Sequence, residues 1–229
     1  RAIEALANTK DPRAVEPLIA LLQTPYSGKP QPYGNGIGQA ANDPNPVRPM
    51  TYYSVAEALG RMGDPRAVAP LIEYLQNGPV QRMIASDALA ELGPPAVGPL
   101  IGLLHDCNEQ TRRLAAKALA SLAFAQTEDH RAKDALVAAL KAKDIAIVAG
   151  GYQYYVSLGA PGSQGMLAAA LDQFGDQLMA EWFLNCGNVK LEDAARAWAE
   201  KRHTGIEQHV YGVVWGKMPT PDKDMPPMQ

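Results

Sequence analysis

Chemistry in this 229-residue chain could sit at its histidines, cysteines or glycine-rich stretches, and each set has a testable spacing. His105, His130, His203 and His209 do not show the H-E-x-x-H pattern that puts two imidazoles on one helix face around zinc, and no cysteine cluster accompanies them. They read as surface or helix-end histidines. Cys107 and Cys186 form no C-x-x-C pair and read as small buried hydrophobes with inert thiols. Gly34-Asn35-Gly36-Ile37-Gly38 has the glycine density of a phosphate loop, but no strand is visible before it, and a dinucleotide fingerprint requires one. Pro161-Gly162-Ser163-Gln164-Gly165 misses the G-x-S-x-G nucleophile elbow at its first position and falls at a helix start, where Ser163 is a turn or cap residue. No catalytic motif, metal site or cofactor is expected, and the residues favour binding over catalysis.

Charge narrows the partner. Twenty-one Lys and Arg stand against 24 Asp and Glu, a net charge of -3, so no nucleic acid is expected to bind. No apolar run approaches the length of a membrane span. The sequence assigns no compartment.

The elements that must position any site repeat. Asp11-Pro12-Arg13-Ala14-Val15-Glu16-Pro17-Leu18-Ile19 returns as Asp64-Pro65-Arg66-Ala67-Val68-Ala69-Pro70-Leu71-Ile72, displaced by 53 positions and changed only where Glu16 becomes Ala69. The phrase Ala56-Glu57-Ala58-Leu59 recurs as Ser86-Asp87-Ala88-Leu89 and Ala116-Lys117-Ala118-Leu119 at a spacing of 30, which sets the unit length. Pro95 to Ile101 continues the pattern, with weaker echoes over 131–140 and 162–171. Val15, Leu18, Ile19 and Leu22 fall at i, i+3, i+4 and i+7, one face of an α-helix, and the face returns as Val68, Leu71, Ile72, Leu75 and as Val97, Leu100, Ile101, Leu104. Asp11 and Asp64 are N-cap residues, followed by Pro12 and Pro65 at the first helical position, where a missing N–H costs nothing. Gly63, Gly93, Gly159 and Gly187 are placed to end helices in the left-handed conformation.

Helix pairs with one buried face each must stack on their neighbours. The Gly63-Asp64-Pro65-Arg66-Ala67-Val68 run with Pro70-Leu71-Ile72 resembles the short HEAT-like repeats named after phycobilisome lyases. That resemblance implies an all-α fold: a right-handed α-solenoid of about six helix pairs, armadillo-like in kind, over residues 1–203. The repeats are expected at about 1–23, 51–77, 80–106, 109–143, 145–175 and 176–202. An insertion occupies 24–50, and a cap with an extended tail occupies 204–229. The resemblance extends to scaffolds, bilin lyases and enzyme regulators, so it implies fold more firmly than activity. Two enzyme classes built from such repeats fit poorly: di-iron hydroxylases use His-Glu pairs, absent here, and alkylpurine glycosylases need a basic face beside Trp and Asp.

The insertion holds six prolines and four glycines together with Tyr26 and Tyr33, and a loop that long inside a repeat stack commonly carries function. Positions of the second helices that flank the buried stripe line a groove: Glu16, Ala20, Gln23; Ala69, Glu73, Gln76; Gly98, Gly102, His105. Asp134, Ala138 and Lys141 add a mixed stripe. Gly98 and Gly102, one turn apart, either admit another backbone or pack tightly against a neighbouring helix. The expected contacts are therefore Tyr26, Tyr33, Glu73, Gln76, Gly98, Gly102 and His105, and the expected partner is a protein or peptide, with a bilin-lyase-like or enzyme-accessory subunit as the alternative. Phe124 to His130 reads as a lengthened charged turn, and His209 to Trp215 as a short strand, clamp or terminal cap. Arg1 falls inside a helical phrase with no cap before it, so the native protein is expected to extend upstream.

Overall fold

The computed structural model describes residues 2–24, 49–78, 82–125, 130–208 and 214–217. Helices make up its regular structure, in two compact units, Arg1–Ala96 and Val97–Gln229. The fold class is all-α, and no described helix is long and apolar enough to cross a membrane.

In the first unit, α1 (Ala2–Thr9), α3 (Pro49–Met62) and α5 (Met83–Leu92) pack side by side. Helices α2 (Val15–Gln23) and α4 (Val68–Asn77) lie against them as a second layer. Both second helices begin the same way. The Asp11 carboxylate accepts the Arg13 backbone N–H at 2.9 Å, and Asp64 does the same for Arg66 at 2.9 Å, each opening a single 3₁₀ turn, Pro12–Ala14 or Pro65–Ala67. The α-helix starts at Val15 or Val68, where the apolar stripe begins and one turn later than the Asp cap with its proline suggests, because those residues open a tighter 3₁₀ turn first. Gly63 and Gly93 end the preceding helices at φ +67° and +93°.

The arginine of the repeated phrase joins one pair to the next. Arg66 binds its own Asp64 at 2.7 Å, donates to the Pro12 carbonyl at 2.9 Å and reaches Glu16 at 3.2 Å. Val15, Leu18, Ile19 and Leu22 are all buried, as are Val68, Leu71 and Leu75. Ile72 is only half-buried, and the adjacent Tyr74 takes its place in the interior. The insertion expected over 24–50 is shorter at its far end, since Pro49 and Met50 already belong to α3. Proline suits a first helical position, which is why the helix can begin there.

The second unit runs from α6 (Val97–Leu103) through α7 (Glu109–Phe124) and α8 (Arg131–Ala142) to a broken helix, α9 (Ile145–Gly150) and α10 (Tyr152–Leu158). It continues with α11 (Gln164–Phe174), α12 (Gln177–Leu184) and α13 (Val189–Arg202). Helix α7 packs on α6, α8 and α9, while α11 packs on α9 and α13, and α12 on α13. The break at Gly150 and Gly151 was not visible in the apolar pattern. A Cβ on Gly150 would collide with the Arg113 carbonyl and lie 2.9 Å from the Ala116 Cβ, so glycine sets how closely α7 and α9 approach.

Asn108, Asp144, Asp176 and Asn188 cap α7, α9, α12 and α13 by accepting backbone N–H groups. The Asp144 carboxylate also accepts Arg112 Nε at 2.9 Å, and the same guanidinium donates to the Asp106 carbonyl at 2.9 Å, tying two turns together. His203 ends α13 in the left-handed conformation, φ +51°, which gives this histidine a structural task.

Residues 209–213 of the expected strand lie outside the described residues. Val214 to Lys217 form a turn closed by one bridge, and no strand occurs among the described residues. The Trp215 N–H donates to the Cys186 carbonyl at 2.8 Å and the Gly216 N–H to the Val156 carbonyl at 3.1 Å. Gly159 and Gly216 meet backbone to backbone, both at positive φ, and any side chain on Gly159 would strike Gly216.

Candidate functional site

Helix α2 ends because Thr24 adopts an extended conformation, φ -63° and ψ 126°, while its hydroxyl donates back to the Ala20 carbonyl at 2.9 Å. The Tyr52 hydroxyl donates to the Thr24 carbonyl at 2.6 Å, so the residue where the chain leaves α2 is bonded to the first turns of α3. The Tyr52 ring in turn packs on Tyr74, centroids 5.8 Å apart. These contacts join α2, α3 and α4 beside a cleft of the first unit.

That cleft, of about 210 Å³, is lined by Leu22, Gln23 and Thr24 from the end of α2 and by Pro70, Glu73, Tyr74, Asn77 and Gly78 from α4. Its floor is apolar, from Leu22, Pro70 and Tyr74. Its rim carries two amides, a hydroxyl and the Glu73 carboxylate, which together can donate to and accept from a peptide backbone. The arrangement can hold an extended or turned segment.

Two of the groove positions read from the sequence, Gln23 and Glu73, meet in this cleft. Glu16, Ala20 and Ala69 are also exposed on α2 and α4, and Glu16 is engaged by Arg66. Gln76 is half-buried just beyond the cleft, where its carbonyl accepts a hydrogen bond from Arg82 Nη1 at 2.7 Å. Tyr26 and Tyr33 lie outside the described residues. Gly98, Gly102 and His105 belong to the second unit. Helix α6 stops at Leu103, so His105 stands in the following turn and is not a helical groove position. Tight packing of the two glycines is contradicted: a Cβ on Gly102 would meet nothing within 4 Å, and one on Gly98 would meet only the Arg131 side chain at 3.7 Å.

Other sequence readings also need correction. Cys107 is exposed, because it falls in the polar turn after α6, whereas Cys186 is buried and burial pushes its thiol up from the ordinary value. Ser163 is the turn residue the sequence offered: it is buried at the start of α11, makes no side-chain cap bond, and its hydroxyl donates to the Ala160 carbonyl at 2.8 Å, closing the turn before the helix. Tyr74, Thr24, Asn77 and Gly78 were missed as cleft residues. Tyr74 sits where the first repeat has Leu21, and that change from leucine to tyrosine was the available signal.

The opposite face of the first unit is acidic. Arg61 bridges Glu57 at 2.6 Å and Glu91 at 3.7 Å, in shallow clefts that also include Glu4, Tyr53 and Asp87. Burial raises the Glu91 carboxyl above its ordinary value, against the pull of Arg61 and with the push of Glu57.

Residues 1–24 and 51–77 match the family model of the PBS lyase HEAT-like repeat, the two segments that flank the insertion. No curated protein matches the chain.

Proposed function

From two HEAT-like repeats whose second helices leave an open cleft, we propose that this chain is a protein-interaction scaffold that holds a peptide segment of its partner against α2 and α4. The observation that carries the reading is the cleft itself: an apolar floor with amide, hydroxyl and carboxylate groups at its rim, at the residue where the chain departs into the insertion. Repeat proteins present this kind of surface because each pair buries one face and leaves the other to solvent. The insertion 24–50 supplies further contacts in this reading, with Tyr26 and Tyr33 as its aromatic anchors, and Gly98, Gly102 and His105 are separate contacts on the second unit.

Panning a displayed peptide library against the full chain tests it. Selected peptides should lose binding to a Glu73→Lys, Gln23→Ala variant whose helical circular dichroism is unchanged. Peptides that bind both proteins equally, or a library that yields no binder, would refute the assignment.

The family description of the matched repeats favours a second reading, an accessory subunit of the bilin-lyase kind. It requires a change in visible absorbance when a bilin is mixed with the protein at micromolar concentration. An unchanged spectrum removes it.

A further inference from the structure

Among the described residues that line the α2/α4 cleft, Glu73 alone carries a charge. Its side chain is exposed, and its carboxylate has neither an ion pair nor a hydrogen bond among the described residues. The arginines that flank α4 in the chain are committed elsewhere. Arg66 holds Asp64 at 2.7 Å and Glu16 at 3.2 Å, and Arg82 donates to the Gln76 carbonyl at 2.7 Å. The cleft therefore offers one unspent negative charge beside an apolar floor of Leu22, Pro70 and Tyr74.

Alignment of the repeats shows that this carboxylate has no task in the stack. Glu16 of the first repeat meets Arg66 of the second, which ties one pair to the next. One repeat further on, Ala69 stands in the place of Glu16 and Pro95 in the place of Arg66, so that bridge has lost both of its members. The second repeat instead carries its glutamate at position 73, where the first has Ala20. A charge moved off the inter-repeat bridge and onto a cleft rim is set to meet a charge from outside, and complementary charge selects partners chiefly by rejecting the wrong sign.

We propose that the partner segment held by the α2/α4 cleft carries a lysine or arginine next to an aliphatic side chain. The aliphatic group covers Leu22, Pro70 and Tyr74, the cation pairs with the Glu73 carboxylate, and the Gln23 and Asn77 amides bond to the segment's backbone. The proposal rests on the scaffold reading and adds what that reading leaves open, the sign of the partner's charge. Glu73 lies in solvent, so the pair strengthens binding by about two- to fivefold, the range of exposed ion pairs. Its larger effect is to turn acidic segments away.

The test pans two displayed peptide libraries against the full chain, identical in their aliphatic and randomised positions and differing only in a fixed central Lys or Glu. The parent should enrich the Lys library and Glu73→Lys the Glu library; Glu73 is exposed, so both proteins should show the same helical circular dichroism. Replacing the central Lys of the best binder by Gln should weaken it about two- to fivefold toward the parent and leave it unchanged toward Glu73→Gln. That difference should vanish at about 1 M salt, where the screening length is about 3 Å. Equal enrichment of both libraries by the parent, in binders that still require Gln23, overturns the charge assignment and leaves the scaffold reading standing. Lys binders indifferent to Glu73→Gln overturn it as well, by placing the cation elsewhere. Binders from neither library overturn both readings. A parent that self-associates, and that Glu73→Lys turns into a monomer, overturns the proposal in favour of a second copy of the chain in the cleft.

Discussion

Glycines that serve close packing and glycines that merely leave a surface open respond oppositely to a methyl group, and this chain contains both. At Gly102 an added Cβ meets empty space, and at Gly98 it meets an ordinary contact with Arg131. Each Gly→Ala change there should stabilise by about 0.5–1 kcal/mol through lower backbone entropy in the unfolded chain and better helix propensity. The double variant should therefore melt about 2–8 °C higher, at about 2–4 °C per kcal/mol for a chain of this size. Gly150→Ala forces a methyl into the Arg113 carbonyl and the Ala116 side chain, so α7 and α9 must separate. Overpacking of that kind costs about 1–3 kcal/mol, and the melting point should fall by a few degrees or more. Calorimetric melts of the three proteins decide the matter. A lower melting point for Gly98→Ala, Gly102→Ala, or an unchanged one for Gly150→Ala, would refute the packing argument. Should the more stable double variant also lose a selected peptide, the two glycines act through access to the surface and not through the fold.

Other expectations follow from single contacts. Arg13 bonds to the Asp11 carboxylate and holds it down to about 2, and Arg66 likewise lowers Asp64. Folded-state values below the unfolded ones make this contribution present above the ordinary value of 3.8 and lost as pH falls toward 2. Acid unfolding of Asp11→Asn, Asp64→Asn should accordingly show a flatter pH dependence across that window than the parent. Tyr155 is buried and donates to the Leu136 carbonyl at 2.8 Å, and burial raises its phenol above 10. Its contribution is full below pH 10 and is lost as pH rises through the raised value, and Tyr155→Phe should cost about 1 kcal/mol in urea unfolding at neutral pH. Tyr52→Phe, which removes the bond to Thr24, should cost a similar ~1 kcal/mol by the same measurement. Maleimide should label Cys107 within the native protein, while Cys186 should react only after denaturation; equal rates would contradict the burial assigned to them.

What could be read from the sequence was whatever a short stretch encodes by itself. Asp11 and Asp64 as caps, Gly63 and Gly159 as helix ends at positive φ, and the stripe Val15, Leu18, Ile19, Leu22 depend on neighbours within a few residues, and the structure has each of them as expected. Gly93 ends its helix at φ +93° and ψ -147°, outside the left-handed region, and Gly187 lies two residues past Asn185, which caps the end of α12. Of the candidate site, Gln23 and Glu73 were legible because helical spacing put them beside the buried stripe. Contacts between elements were not legible. The collision that makes Gly150 necessary involves Arg113, 37 positions earlier, and no period in the sequence relates them. Trp198 looked like an ordinary apolar helix residue, since nothing local reports that its buried indole N–H finds no acceptor among the described residues. Arg13 and Arg66 recur in register, yet only the packed pair reveals that the second arginine reaches back to the carbonyl of Pro12.

Comparing the two matched repeats position by position shows how a binding face can arise on a fixed frame. Val15, Leu18, Ile19 and Leu22 are repeated without change as Val68, Leu71, Ile72 and Leu75, and all but Ile72 are buried. The solvent-facing Glu16 and Ala20 become Ala69 and Glu73, so the carboxylate moves one turn along the helix without touching the core. The Glu16 carboxylate is engaged by Arg66, whereas Glu73 stands at the rim of the cleft. One inward change accompanies this, Leu21 to Tyr74. The tyrosine turns in, Ile72 turns partly out, and the new ring packs on Tyr52, whose hydroxyl binds Thr24. A single aromatic substitution thus shapes the cleft floor and packs on the residue bonded to the point where the insertion begins. Tyr74→Leu, restoring the first repeat's residue, should keep the helical content and weaken peptide capture. Capture at parental strength would separate the cleft from the function argued for it.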